Sequence, residues 1–234
     1  MIYNLAMGVK ENLDLIKARI ARACEKVKRS PDEITLVAVA KGKPVEMIKE
    51  AIDVGVSHFG ENRVQEAQAK IPLIQEKIEW HLVGTLQTNK VKKALQLFQI
   101  IESVDSVHLA QEIQRRCEQM DKIMPVLIEV NTSNEPTKHG VQPEGLFDLI
   151  KAVLELSRLK LLGLMTIGPG WAIEEPEASR PCFKLLAQLA EQAQQKFGIA
   201  LPHLSMGMSA DFEVGIEEGA TIVRIGTALF GARG

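Results

Sequence analysis

Lysine 41 stands at the end of a short apolar run, Ile34–Ala40, and is followed by Gly42-Lys43-Pro44. A lysine whose stem starts in apolar surroundings can act as a nucleophilic amine toward a carbonyl group. Taken alone, Lys41 reads as a side chain snorkelling out of a strand end. The last thirty residues change that balance. Leu204-Ser205-Met206-Gly207-Met208-Ser209 and Thr221-Ile222-Val223-Arg224-Ile225-Gly226-Thr227 are each a short apolar strand ending in glycine and a hydroxyl residue. Glycine lets the backbone approach a ligand closely, and a helix N-terminus offers unpaired N–H groups to an anion. Two such turns after the last two strands of an α/β chain form the usual phosphate seat of a (β/α)8 barrel. An amine on one rim and a phosphate seat on the other suit an aldehyde that bears a phosphate, and pyridoxal 5'-phosphate is such a molecule.

Arg224 lies two residues before Gly226, on the same strand face and one layer deeper. A buried arginine needs a partner. Two readings stay open: an ion pair with Glu129 or Glu61, or a hydrogen bond to a pyridine nitrogen. In the second case the ring nitrogen stays neutral, because arginine keeps its proton. His81, within Glu79-Trp80-His81-Leu82, alternates with apolar residues and reads as a hydrogen-bonded core histidine more than as a catalyst. Asn62 either contacts the ligand or caps the helix beginning at Arg63. Met165 reads as barrel core or as a wall beside the ligand. His58, His108, His139 and His203 show no metal-ligand spacing with each other, and no metal is expected.

The elements that must hold these residues alternate regularly. Leu13, Ile16, Ile20, Cys24 and Val27 repeat at helical spacing, so the chain opens with an amphipathic helix. Eight short apolar strands follow, expected over Ile34–Ala40, Ser57–Gly60, Trp80–Gly84, Ile100–Val104, Pro125–Val130, Leu159–Thr166, Leu204–Met206 and Thr221–Ile225. Between them lie helical stretches such as Met47–Val54, Leu109–Met120, Leu146–Leu156 and Phe183–Phe197. Apolar strands alternating with amphipathic helices mean a parallel sheet covered by helices. Eight repeats favour closure, so the expected fold class is α/β: a single (β/α)8 TIM-type barrel over 1–234, with an additional N-terminal helix within 1–30. No G-x-G-x-x-G follows the first strand, which argues against a dinucleotide fold. The Gly168–Pro176 stretch reads equally as a lid or as an ordinary surface loop.

The totals exclude several classes. A net charge of -2 over 234 residues offers no electrostatic draw for nucleic acid or anionic membrane. Cys24, Cys117 and Cys182 are dispersed and odd in number, as expected of reduced thiols. No signal-peptide pattern or membrane-length apolar run is present, so a cytoplasmic protein is expected.

The same residues resemble the pyridoxal phosphate homeostasis proteins, a family of single-domain barrels that bind pyridoxal 5'-phosphate. The resemblance rests on Ala38–Pro44, Phe59–Glu66, Trp80–Lys90, Val130-Asn131 through Lys138-His139-Gly140, Gly163–Ile167, Leu204–Phe212 and Val223–Gly231. It implies that Lys41 forms an aldimine with the cofactor and that Arg224 faces its pyridine nitrogen. It further implies that Ser205, Ser209, Gly226 and Thr227 hold the phosphate; Gly207, Asn62, His81 and Met165 complete the expected site. Where the family more often has Ser-Lys-Thr-Lys-Pro, this chain has Ala40-Lys41-Gly42-Lys43-Pro44. The barrel also looks like the N-terminal domain of alanine racemase, an enzyme that takes a second base, a tyrosine, from a separate domain of its partner subunit. The only tyrosine here is Tyr3. The expectation is therefore a monomeric carrier and buffer of the cofactor that passes it transiently to apoenzymes, with no catalytic residue of its own. The alternatives are a racemase-like enzyme using His81 as base, and an aldolase using Lys41 without any cofactor.

Overall fold

A computed structural model describes residues 8–231. Eight parallel strands close into a barrel in chain order, β1 pairing with both β2 and β8. They are β1 (Thr35–Val39), β2 (His58–Glu61), β3 (Glu79–Leu82), β4 (Ile100–Val104), β5 (Met124–Glu129), β6 (Leu159–Met165), β7 (His203–Met208) and β8 (Ile222–Ile225). The helices are α1 (Val9–Lys26), α2 (Val45–Asp53), α3 (Val64–Lys70), α4 (Val91–Leu97), α5 (Val107–Gln119), α6 (Leu146–Leu154), α7 (Arg180–Phe197), α8 (Phe212–Glu217) and α9 (Thr227–Phe230). This is the expected (β/α)8 barrel preceded by a helix. Every expected strand is present, with ends displaced by up to two residues; β7 runs on to Met208, the largest difference together with that at the end of β3.

Strand alternation divides the apolar residues into two cores. Outward-facing residues such as Ala38, Phe59, Leu82 and Ile101 pack under the helices in one large cluster. Inward-facing Val37, Ile100, Leu127, Met165 and Ile222 form a smaller cluster of their own on the barrel axis. Side chains fill the interior of such a barrel in layers, so the axis is a packed core and only its ends are open for chemistry. Gly60 leaves room in that axis: an added Cβ there would approach Val37 Cγ1 to 3.0 Å.

Helix α1 buries Leu13, Ile16, Ile20 and Cys24 against the outside of the barrel. Its polar flank is tied to the last elements of the chain. Arg19 makes a two-pronged ion pair with Glu213 at 2.6–2.9 Å, and Asn12 Nδ2 donates to the Leu229 carbonyl at 3.0 Å. Glycine stops α7, with Gly198 at φ +64°, the left-handed conformation that ends helices. No helix among the described residues is long and apolar enough to cross a membrane. The stretch after β6 folds into two 3-10 turns, Gly170–Ile173 and Pro176–Ser179, and leaves Trp171 and Ile173 exposed.

Candidate functional site at the barrel mouth

The C-terminal ends of the strands surround a cavity of about 890 Å³. Lys41, Asn62, Gly84, Glu129, Asn131 and Thr166 are among its walls, contributed by the ends of β1, β2, β3, β5 and β6. Such a volume lies within the range of small-molecule and cofactor pockets. Lys41 sits in a tight turn. Gly42 takes φ +68°, a conformation that favours glycine, and its N–H donates to Glu66 Oε2 at 3.0 Å. The neighbouring lysines are engaged elsewhere. Lys43 Nζ donates to the Phe230 and Gly231 carbonyls, and Lys70 Nζ donates to the Ala40 carbonyl at 2.8 Å and to Glu61 Oε1 at 2.6 Å. Of these three amines, Lys41 is the one that faces the cavity.

Arg224 is 4 % exposed and rigidly held. Nη1 donates to Ser205 Oγ at 2.6 Å and Nη2 to the Thr166 carbonyl at 2.7 Å. Ser205 in turn donates to Glu102 Oε2 at 2.5 Å, and the other Glu102 oxygen lies 2.6 Å from His81 Nδ1. Neither carboxylate suggested by the sequence, Glu129 or Glu61, pairs directly with Arg224. Its charge is balanced through Ser205 by Glu102, and Glu61 pairs with Lys70 instead. Burial pushes the Glu102 carboxyl up, but the hydrogen bond and charge of His81, with Arg224 and Ser205, hold it below the ordinary range. Burial also lowers the Arg224 pKa, opposed by Glu102, Asp211 and Glu129. Glu102 was missed from the sequence, although a lone carboxylate inside Ile100-Ile101-Glu102-Ser103-Val104 is a readable sign of a buried partner.

Glu129 behaves differently. It is buried on the cavity wall, and burial pushes its carboxyl up to about 7, with Asp105 adding to the shift and Arg224 opposing it.

The structure brings part of the expected site together and places the rest deeper. Asn62 lines the cavity, and α3 is capped at Arg63 without a side-chain bond, so Asn62 is not its cap. Ser209 Oγ accepts from the Gly226 and Ala228 N–H groups at 3.3 and 3.1 Å, so the two tail loops do meet at one spot beside Thr227. Of the expected residues, Lys41 and Asn62 are among the cavity walls; Gly207, Ser209, Arg224, Gly226 and Thr227 are not, and neither are His81, Met165 and Ser205. Inward-facing strand residues below the last layer are covered by that layer: Met165 belongs to the axial core, and Ser205 and His81 are spent on Glu102. Gly207 also has a structural reason. It adopts φ +92°, and a Cβ there would come within 2.7 Å of Phe212 Cα, so glycine serves the close turn into α8. The loop after β5 was quoted only as a motif, yet it closes one side of the mouth. Lys138 Nζ donates to the Gly168 carbonyl at 2.5 Å and pairs with Glu135 at 2.8 Å.

A helix-covered parallel barrel with an amine at its mouth and an arginine on its axis defines a class, and comparison with known proteins agrees. The family described as "Alanine racemase, N-terminal domain" matches residues 12–234. A pyridoxal phosphate homeostasis protein of Aquifex aeolicus is 48% identical over 97% of this chain and 99% of its own length. The chain belongs to the pyridoxal phosphate homeostasis protein family. The structure of PipY from Synechococcus elongatus PCC7942, solved with PLP bound, superposes with a TM-score of 0.80 at 34% identity, covering 91% of this chain and all of that one. An alanine racemase of Clostridium difficile 630 shares the fold at 16% identity and a TM-score of 0.77, over 96% of this chain and 56% of that one.

Proposed function

We propose that this protein holds pyridoxal 5'-phosphate at the barrel mouth, attached through Lys41, and serves as a monomeric carrier and buffer that returns the cofactor to apoenzymes without turning over a substrate. The observation that carries the proposal is the Lys41 amine, which turns into a cavity of cofactor size while both neighbouring lysines are spent on carbonyls and carboxylates. The residues fit the group. The Gly226 and Ala228 N–H groups converge on the Ser209 hydroxyl at the start of α9, and Ser209, Gly226 and Thr227 would hold the phosphate there. Asn62 lines the cavity beside Lys41, and Arg224, immobilised by Ser205 and Thr166, would face the ring nitrogen.

Pyridoxal 5'-phosphate supplies an aldehyde that condenses with amines and a ring that withdraws electrons. Arg224 remains a donor at all ordinary pH and would not deliver a full proton to the ring nitrogen, so the ring would stay a weak electron sink. The Ser205–Glu102–His81 line fixes the guanidinium in place, so that restraint is built into the barrel axis. No tyrosine occurs within residues 8–231, and His81 is bonded to Glu102 and is not among the cavity walls.

Added pyridoxal 5'-phosphate is expected to give a visible absorbance band that Lys41→Ala removes. Incubation with a panel of L- and D-amino acids is expected to give no racemisation, transamination or decarboxylation. Turnover above about 1 per second, an ordinary enzyme rate, would overturn the carrier role. One observation favours a second reading as an enzyme: Glu129, with its carboxyl at about 7 on the cavity wall, has the properties of a general acid or base. In that case Glu129→Gln abolishes turnover and leaves the absorbance band intact.

A further inference from the structure

The hydrogen-bonded line from Arg224 through Ser205 and Glu102 to His81 continues toward the opposite, N-terminal end of the barrel. There His58 of β2 and Glu79 and His81 of β3 each present one ligand atom, and these atoms all lie within 4.8 Å of one another. The strands explain the meeting: Glu79 and His81 are two residues apart on one face of β3, and His58 is in register with Glu79. His58 Nδ1 lies 3.2 Å from His81 Nε2 and 3.6 Å from Glu79 Oε2. Two ligands each about 2.0–2.1 Å from a tetrahedral ion stand about 3.3 Å apart, so both separations are close to coordination edges.

The ring of His81 is prepared for such a role. Its Nδ1 faces Glu102 Oε1 at 2.6 Å, which places the ring proton there and leaves the Nε2 lone pair directed at His58. A carboxylate behind a histidine in this way fixes the tautomer and strengthens the ligand in known metal centres. His58 now donates its Nδ1 proton to that lone pair; the other tautomer of the neutral ring would offer a second lone pair to an ion, after a modest tilt of a half-buried side chain. Glu79 is exposed, and its carboxylate already lies against His58. A second cavity, of about 490 Å³, borders His58 and gives a route from solvent.

The geometry points to a divalent-cation site formed by His58, Glu79 and His81. Two imidazoles and one carboxylate suit zinc and its neighbours, with a fourth position for water, whereas calcium and magnesium prefer oxygen ligands. The site is at the opposite end of the barrel from Lys41 and does not depend on the pyridoxal reading. The test is calorimetric titration of the chelator-treated full chain with Zn²⁺, paralleled by Co²⁺ absorbance. One equivalent is expected to bind, with a tetrahedral cobalt spectrum lacking any thiolate charge-transfer band. His58→Ala and Glu79→Ala are each expected to weaken binding at least about tenfold. Absence of a saturable equivalent, or an equivalent that Glu79→Ala and His58→Ala both retain, would overturn the site.

Discussion

Glu102 and Glu129 are both buried, both come from inward-facing positions of the same sheet, and both feel Arg224, yet their carboxyls move in opposite directions. Glu102 lies on the closed axis, where His81 takes one oxygen and Ser205 the other. Glu129 lies one layer higher, on the cavity wall, where burial is the main influence. The difference teaches that depth alone does not decide ionisation in this barrel. Where the interior supplies donors, a buried carboxylate is a structural counter-ion; where it does not, the same side chain becomes a group able to exchange protons near pH 7.

Removing the Glu102 carboxylate should break this contrast most severely. Glu102→Ala leaves the Arg224 guanidinium buried without its counter-charge, and an expected loss of about 3–5 kcal/mol should appear in urea unfolding. A loss below about 1 kcal/mol would mean that water or another carboxylate compensates Arg224.

Glu129→Gln should act through pH. The folded carboxyl at about 7 exceeds its ordinary value of 4.5, so the folded state binds the extra proton and wild-type stability falls as pH rises between those values. The glutamine variant lacks this decline. Its stability relative to wild type should therefore grow by up to about 3 kcal/mol from pH 4.5 to pH 7 and level off above, as read by denaturation at each pH. A pH-independent difference would remove Glu129 as a titrating group.

Smaller effects are expected at the rims. Gly42→Ala places a Cβ at φ +68° beside Lys41 and should cost about 1–2 kcal/mol, measurable as a lower unfolding midpoint. Glu79→Gln at the exposed N-terminal rim should change stability by less than about 0.5 kcal/mol. An equally small Gly42→Ala effect would show that the turn carrying Lys41 relaxes freely.

Much of the fold was legible because alternating strand and helix patterns repeat eight times, and the same alternation made legible that Lys41, Asn62, Ser209, Gly226 and Thr227 stand at or just past strand ends. Residues one layer lower were not. His81, Ser205 and Met165 share the same alternation and the same motifs as the mouth residues, and a sequence carries no mark of how many layers separate a side chain from solvent. The cross-strand cluster of His58, Glu79 and His81 was hidden for a related reason. Its members are spaced for neighbouring strands of a sheet, and single-segment ligand spacing does not detect that.

The sequence by itself determined the barrel, its opening helix, the amine at the end of β1 and the glycine-and-hydroxyl turns at the tail, because local periodicity and glycine placement are properties of short segments. Tertiary structure alone decided that Arg224 answers to Glu102 through Ser205, that Glu129 stands with few partners on the cavity wall, and that two histidines and a glutamate meet at the far rim. Those outcomes depend on strand register and on which layer closes over which, and both are set only when the eight strands close into a ring.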